Sequence, residues 1–167
     1  MGYPKKWRTY EYGVNRKTYL ANVFSSEKYE TARDLAKIGK PVDREDWRAP
    51  PSIVNAFYNA NLNTMFFPAG ILAPPFLNPK ASVAVNLGAI GMVVGHELTH
   101  GFDDQGSQFD ADGNLKNWWE PQVGEEFKRR TTCVSKQYSG YETEGQKVNG
   151  DLTNGGNIAD IGGLKMA

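Results

Sequence analysis

The sequence predicts a mainly helical α+β fold, built around a buried helix that carries the chain's only two histidines. Three observations point there. Residues 82–102 are rich in Ala, Val, Leu, Ile and Met around most of a helical circumference, the pattern of a helix covered on nearly all sides. Thr64-Met65-Phe66-Phe67 is aromatic and β-prone and is stopped by Pro68, as a short strand would be. A chain of 167 residues with 40% hydrophobic and 12% aromatic content suffices for one domain with a real core, and falls short of two of ordinary size.

Taken in order, residues 1–50 read as a polar helical lead-in and residues 51–167 as the core of one domain. In the lead-in, Tyr19-Leu20, Val23-Phe24, Tyr29 and Leu35-Ala36 line one face of one or two helices ending near Gly39-Lys40-Pro41. Pro50-Pro51 breaks the chain, and Pro74-Pro75 breaks it again after the β-prone segment 53–67. In the apolar helix, Gly88, Gly91 and Gly95 would each cost up to ~1 kcal/mol if exposed, so they are expected to admit a neighbouring backbone. Asp110-Ala111-Asp112-Gly113-Asn114 is a turn cluster. It is not a calcium loop, because its glycine is fourth rather than sixth and no glutamate stands at the twelfth position. A polar helix is expected over 121–138. A short final helix around Asn157-Ile158-Ala159-Asp160 lies between Gly155-Gly156 and Gly162-Gly163.

Charge and cysteine content exclude several functions. Nineteen basic residues balance nineteen acidic ones, so no global field favours nucleic acid or an anionic membrane. Cys133 is the single cysteine, which rules out an internal disulfide framework and a cysteine-based zinc site. No signal-like apolar stretch follows Met1, and the longest apolar run, about 81–95, is shorter than the ~20 residues a membrane span needs. The chain therefore reads as soluble with no membrane segment, and its compartment stays open.

The chemistry is concentrated in His96-Glu97-Leu98-Thr99-His100. Four residues make about one helical turn, so both imidazoles project from one face and can grip one metal ion. Glu97, beside the first histidine, is placed to take a proton from water activated by that metal. Zn2+ is the expected cofactor, since a catalytic zinc takes three protein ligands and leaves one position open. The third ligand is not a histidine: positions 103 and 106, where one subclass has glycine and histidine, hold Asp103 and Gly106. It would have to be a carboxylate.

Blocks from about Pro51 to Ala167 resemble the neprilysin family of zinc endopeptidases. They are Val54-Asn55-Ala56-Phe57-Tyr58, Phe67-Pro68-Ala69-Gly70-Ile71-Leu72, Gly95 to Asp104, Asn117-Trp118-Trp119, Val148-Asn149-Gly150 and Asn157-Ile158-Ala159-Asp160 with Gly162-Gly163. Gly2 to Trp7 and Gly39 to Arg44 also fit. The resemblance implies a partial thermolysin-like zincin catalytic domain, with an edge strand for an extended peptide or protein substrate. It implies that His96 and His100 bind zinc, that Glu97 is the general base, and that Asp103 and Asp160 orient His100 and His96. It makes Asn55 and Ala56 the anchors of the substrate backbone. Asp104, by contrast, reads as a capping or solvated residue. Such relatives act as secreted, periplasmic or ectodomain enzymes.

The sequence also departs from the family. The pattern Gly-Glu-Asn-Ile-Ala-Asp supplies the third zinc ligand from its glutamate, and here that position is Gly156. Asn157 is a poor substitute, Asp160 would have to abandon His96, and Glu97 would cease to be a base. The family's catalytic domain also continues beyond Gly162-Gly163, and Cys133 stands where animal relatives carry a disulfide cysteine whose partner is missing. Two readings follow: a zinc-dependent endopeptidase, or a remnant that binds metal or peptide weakly. Surfaces that longer relatives cover would favour self-association.

Overall fold

Charge and ring contacts organise the amino-terminal part of the molecule. The computed structural model describes residues 1–47 and 49–167, and residues 4–46 form the smaller of its two units. That unit is built on α1 (Tyr19–Leu35), a single helix where the sequence allowed one or two, with no residue fully buried. The Asp46 carboxylate accepts hydrogen bonds from Lys37 at 2.6 Å and Arg33 at 2.7 Å. Burial pushes the Asp46 carboxyl up, but the Lys37 and Arg33 cations outweigh it and hold the group below its usual range. The rings of Tyr10, Tyr12 and Tyr29 meet at 5.3 to 5.8 Å between centroids.

The larger unit comprises residues 1–3 and 47–167. Strands β1 (Phe57–Asn59) and β2 (Thr64–Phe66) pair antiparallel, with Phe57 opposite Phe66. The turn between them sets Asn63 at φ 43°, a left-handed conformation that asparagine tolerates better than most residues. After β2 the chain dives inward. Phe67 is 1% exposed and packs with Ala56 and Ile71, and Met65, Leu72, Phe76, Ile90, Val93 and Val94 complete the cluster. Gly2 ties the amino terminus to this core, donating to the Phe67 carbonyl at 2.7 Å and accepting from Ala69 at 2.8 Å.

The predicted apolar helix is present but is neither uniform nor covered all round. It begins as α2 (Val83–Asn86), capped by the Ser82 hydroxyl on the Val85 amide. It widens into a π turn over Leu87–Gly91 and continues as α3 (Met92–His100). Val83 and Val85 are 76% and 58% exposed, contrary to the expectation of burial on nearly all sides. The reason is local, since α2 packs chiefly on the π turn that follows it, and only Ile90, Val93 and Val94 reach the core. The glycines divide accordingly. A side chain on Gly88 would meet nothing within 4 Å, and one on Gly91 would touch only its own helix. Gly95 alone admits another backbone, its Cβ position lying 2.9 Å from the Cα of Gly163.

Helix α4 (Pro121–Tyr138) occupies the predicted span with proline in its first turn. A hairpin of β3 (Glu142–Thr143) and β4 (Gln146–Lys147) turns through Glu144 and Gly145, both at positive φ. The last helix, α5 (Asn154–Met166), is longer than the sequence suggested and contains both glycine pairs within it. Its packing on α3 is the most extensive contact between elements. That pair of helices positions the site.

Candidate metal centre

The two helices interlock through missing side chains. A Cβ on Gly163 would lie 2.5 Å from the Met92 carbonyl oxygen and 2.9 Å from the His96 nitrogen. One on Gly162 would lie 2.2 Å from the Thr99 hydroxyl, which itself donates to the Gly95 carbonyl at 2.7 Å. Helix α5 therefore rests directly on the backbone of His96. One turn before Gly163, Asp160 reaches the His96 ring and accepts from Nδ1 at 2.8 Å.

His100 is held from its own side. Its Nδ1 donates to Asp103 Oδ2 at 2.6 Å, and Asp103 Oδ1 accepts from the amides of Gln105 at 2.8 Å and Gly106 at 2.7 Å. Asp103 is only 4% exposed. Burial pushes its carboxyl up, but the His100 ring and the two amides prevail and keep it below its usual range. In return the Asp103 bond raises the His100 imidazole above its ordinary value, against the effect of burial. A side chain on Gly106 would collide with the His100 carbonyl, so the turn after α3 requires glycine there.

With each Nδ1 directed at a carboxylate, the two Nε2 atoms turn toward each other at 2.9 Å. At that separation the pair can share a single hydrogen bond or grip a single cation. This donor pair suits zinc, whose ligating histidines commonly bond a carboxylate through the other nitrogen. The set is incomplete by itself. No group of three or more His, Cys, Asp or Glu side chains that could hold an ion occurs among the described residues. At Gly156 a Cβ would meet nothing within 4 Å, so the position on the Asp160 face, one turn earlier, is open space. Asn157 is no replacement, because it is buried and its amide donates to Thr153 Oγ1 at 2.9 Å.

Glu97 is 5% exposed. Burial pushes its carboxyl up, while His96, His100 and the Tyr58 amide act in the opposite direction without overcoming it. Asn55, Ala56, Tyr58, His96, Glu97 and His100 line one cleft of about 440 Å3. The structure thus gathers six of the seven predicted site residues, Asn55, Ala56, His96, Glu97, His100 and Asp103, at this cleft, and brings Asp160 onto His96 from behind. Asn55 and Ala56 precede β1 rather than lying within it, and the Asn55 side chain accepts from the Ala56 amide at 2.9 Å. A larger cavity of about 740 Å3, with Asp104, Trp119 and Phe127 among its walls, contains neither histidine nor Glu97. Volume does not choose between the two clefts; the donor set does. Asp104 neither caps a helix nor meets solvent with both oxygens, since its Oδ1 is buried and unpartnered among the described residues.

Sequence reasoning missed Tyr58, whose amide approaches Glu97 and whose phenol lies 3.2 Å from the Cβ position of Gly101. It also missed Gln105 and Gly106 as donors to Asp103, and Thr99 with Gly162 and Gly163 as the helix interlock. The spacing of Gly95 and Thr99, with a glycine pair in the last helix, was the available signal for the interlock.

Comparison with known proteins gives this geometry a context. The model of peptidase family M13 matches residues 55–167. Endothelin-converting enzyme-like 1 of Mus musculus is 43% identical over 160 residues, covering 96% of this chain and 21% of its own length. Neprilysin of Homo sapiens is 43% identical over 152 residues, covering 89% of this chain and 20% of its own. The chain therefore spans about a fifth of the length of these relatives. Among solved structures, the Mycobacterium tuberculosis zinc metalloprotease ZMP1 in complex with an inhibitor aligns with a TM-score of 0.90 at 44% identity, over 99% of this chain and 26% of that one. PepO from Lactobacillus rhamnosis aligns with a TM-score of 0.86 at 37% identity, over 99% of this chain and 27% of that one.

Proposed function

The chain belongs to peptidase family M13, and on that premise we propose that it carries the zinc site of a metal-dependent endopeptidase acting on peptides. The observation that carries the reading is the pair of Nε2 atoms converging at 2.9 Å, each ring held from behind by a carboxylate. His96 and His100 would hold the ion. Bound zinc supplies Lewis acidity toward a carbonyl and acidifies water in its open position. The protein's own residues do the rest. Asp160 and Asp103 fix the ring orientation of His96 and His100, so that each Nε2 is turned toward the ion. Glu97 accepts a proton from the attacking water and returns it to the departing amine. Its carboxyl, pushed up by burial, is suited to a proton that must be both taken and given back. Asn55 and Ala56, on extended chain entering β1, align the substrate backbone through main-chain and amide hydrogen bonds.

A second reading is a module that binds metal or peptide without turnover, and one observation favours it: Gly156 leaves the donor set at two. The test separates the two. Zinc stoichiometry is measured after dialysis, and chelator-sensitive cleavage of a peptide library is then measured for the chain and for Glu97→Gln. The endopeptidase reading expects bound zinc in both proteins and cleavage only in the parent. Cleavage that survives Glu97→Gln overturns the mechanism, and zinc without cleavage in either protein establishes the binding module. No described helix is long and apolar enough to cross a bilayer.

A further inference from the structure

Position 156 of α5 lies one turn before Asp160, the carboxylate that holds His96. In α5, residues 156 and 160 are four apart and share a face, and that face is the one Asp160 turns toward His96. A Cβ at 156 would meet nothing within 4 Å, whereas one at the adjacent Gly155 would sit 2.8 Å from Asp104 Oδ1 and 3.0 Å from Asp103 Oδ2. Among the four glycines of α5, only Gly156 opens onto free space. Asp160 and Asp103 cannot move in to fill it without releasing Nδ1 of His96 and His100. An ion held by two neutral imidazoles keeps its full charge and has open coordination positions, and an anionic oxygen donor is the group that satisfies both.

We propose that the space at Gly156 is a metal-dependent binding site for a carboxylate supplied from outside the chain, so that metal and carboxylate bind cooperatively. This rests on His96 and His100 holding the ion. The carboxylate is either a small free acid or the acidic side chain of a bound peptide. Binding is reciprocal: a carboxylate that tightens the metal is itself tightened by the metal to the same degree.

The experiment titrates the full chain with Zn2+ by calorimetry and with Co2+ by absorption, in sodium acetate and in sodium chloride of equal ionic strength. It is repeated with a short peptide containing glutamate and its glutamine twin. Acetate, or the glutamate peptide alone, is expected to raise metal affinity about tenfold over its control, the scale on which supporting ligands act at metal sites. If only the glutamate peptide works, the source is the substrate. Two variants locate the slot. Gly156→Glu fills it with a tethered carboxylate and should bind metal more tightly with no response to acetate. Gly156→Gln occupies it without charge and should lose the acetate response with no gain in affinity. Because weak pairing of acetate with the free ion is common to all three proteins, the comparison cancels it. The proposal is overturned if neither carboxylate changes metal affinity, or if both variants respond as the parent does. Failure of the underlying reading looks different: His96→Ala would then leave metal affinity untouched.

Discussion

Replacing Gly163 by alanine tests whether the two helices position the site by contact rather than by chance proximity. The added Cβ would sit 2.5 Å from the Met92 carbonyl oxygen and 2.9 Å from the His96 nitrogen, where ordinary contact begins near 3.4 Å. Both neighbours are backbone within α3 and cannot rotate away. Helix α5 must therefore withdraw by about 0.9 Å, an overpacking whose usual cost is about 1–3 kcal/mol. Alanine recovers about 0.5–1 kcal/mol of helix propensity over glycine. The net expectation is a loss of about 1–2 kcal/mol. The same withdrawal stretches the bond from His96 Nδ1 to Asp160 from 2.8 Å to about 3.7 Å, beyond hydrogen-bond range.

Gly156→Ala is the internal control, because it makes the identical change about two turns earlier in the same helix, in open space. There only propensity acts, and stability should rise by about 0.5–1 kcal/mol. Urea denaturation read by circular dichroism gives both values, and a metal titration reads the Asp160 bond. Gly163→Ala should lower metal affinity by about 10- to 100-fold, as loss of a carboxylate behind a ligating histidine does. Equal stability gains at both positions would refute the interlock and with it the account of how Asp160 is placed.

Three further outcomes follow from the geometry. Asp103→Asn keeps the shape of the turn but removes the charge behind His100, and zinc affinity measured by competition with a chelator should fall about 10-fold or more while the fold persists. Without metal, the His100 imidazole, raised by Asp103, stabilises the fold fully below about 6.5 and loses that contribution as pH rises through its folded value; Asp103, held low, stabilises above about 3.8 and loses its contribution on acidification. Glu97, raised by burial, adds to the decline above about 4.5, so the melting temperature of the metal-free chain should fall from there through neutrality; with saturating zinc, which competes with protons for Nε2, the trend at His100 should reverse, and parallel curves would contradict the assignment. Finally, calcium should leave the melting temperature unchanged, since Asp110 Oδ1 already accepts from the amides of Asp112 and Asn114.

The site was far more legible than the shape of its support. His96, Glu97 and His100 announce themselves because metal ligation demands particular side chains at a helical repeat, and no packing argument imitates that spacing. Asp103 was readable for the same reason, three residues on along one face. Asp160 was not readable from spacing at all; it lies 64 residues away, and only the family resemblance pointed to it. Periodicity also failed over Val83 to Leu87, where an apolar run signals burial but cannot say whether this chain holds the element that covers it. The π turn over Leu87–Gly91 left no composition signal either. For α5, glycines read as helix boundaries turned out to lie inside the helix, because at Gly162 and Gly163 the gain from close contact with Thr99 and His96 outweighs the loss of propensity.

The contrast between what the site keeps and what it lacks bears on how it is held together. Asp103 is fixed by two backbone amides, and Asp160 is fixed by a helix that rests on the His96 backbone. Neither restraint depends on an ion. The rings are therefore poised by the protein, with their Nε2 atoms 2.9 Å apart. A cation would meet a pair already oriented, unlike the ligands of small zinc domains that fold only on metal binding. It follows that a carboxylate at position 156, tethered or free, would act on the affinity of an arrangement that is already built.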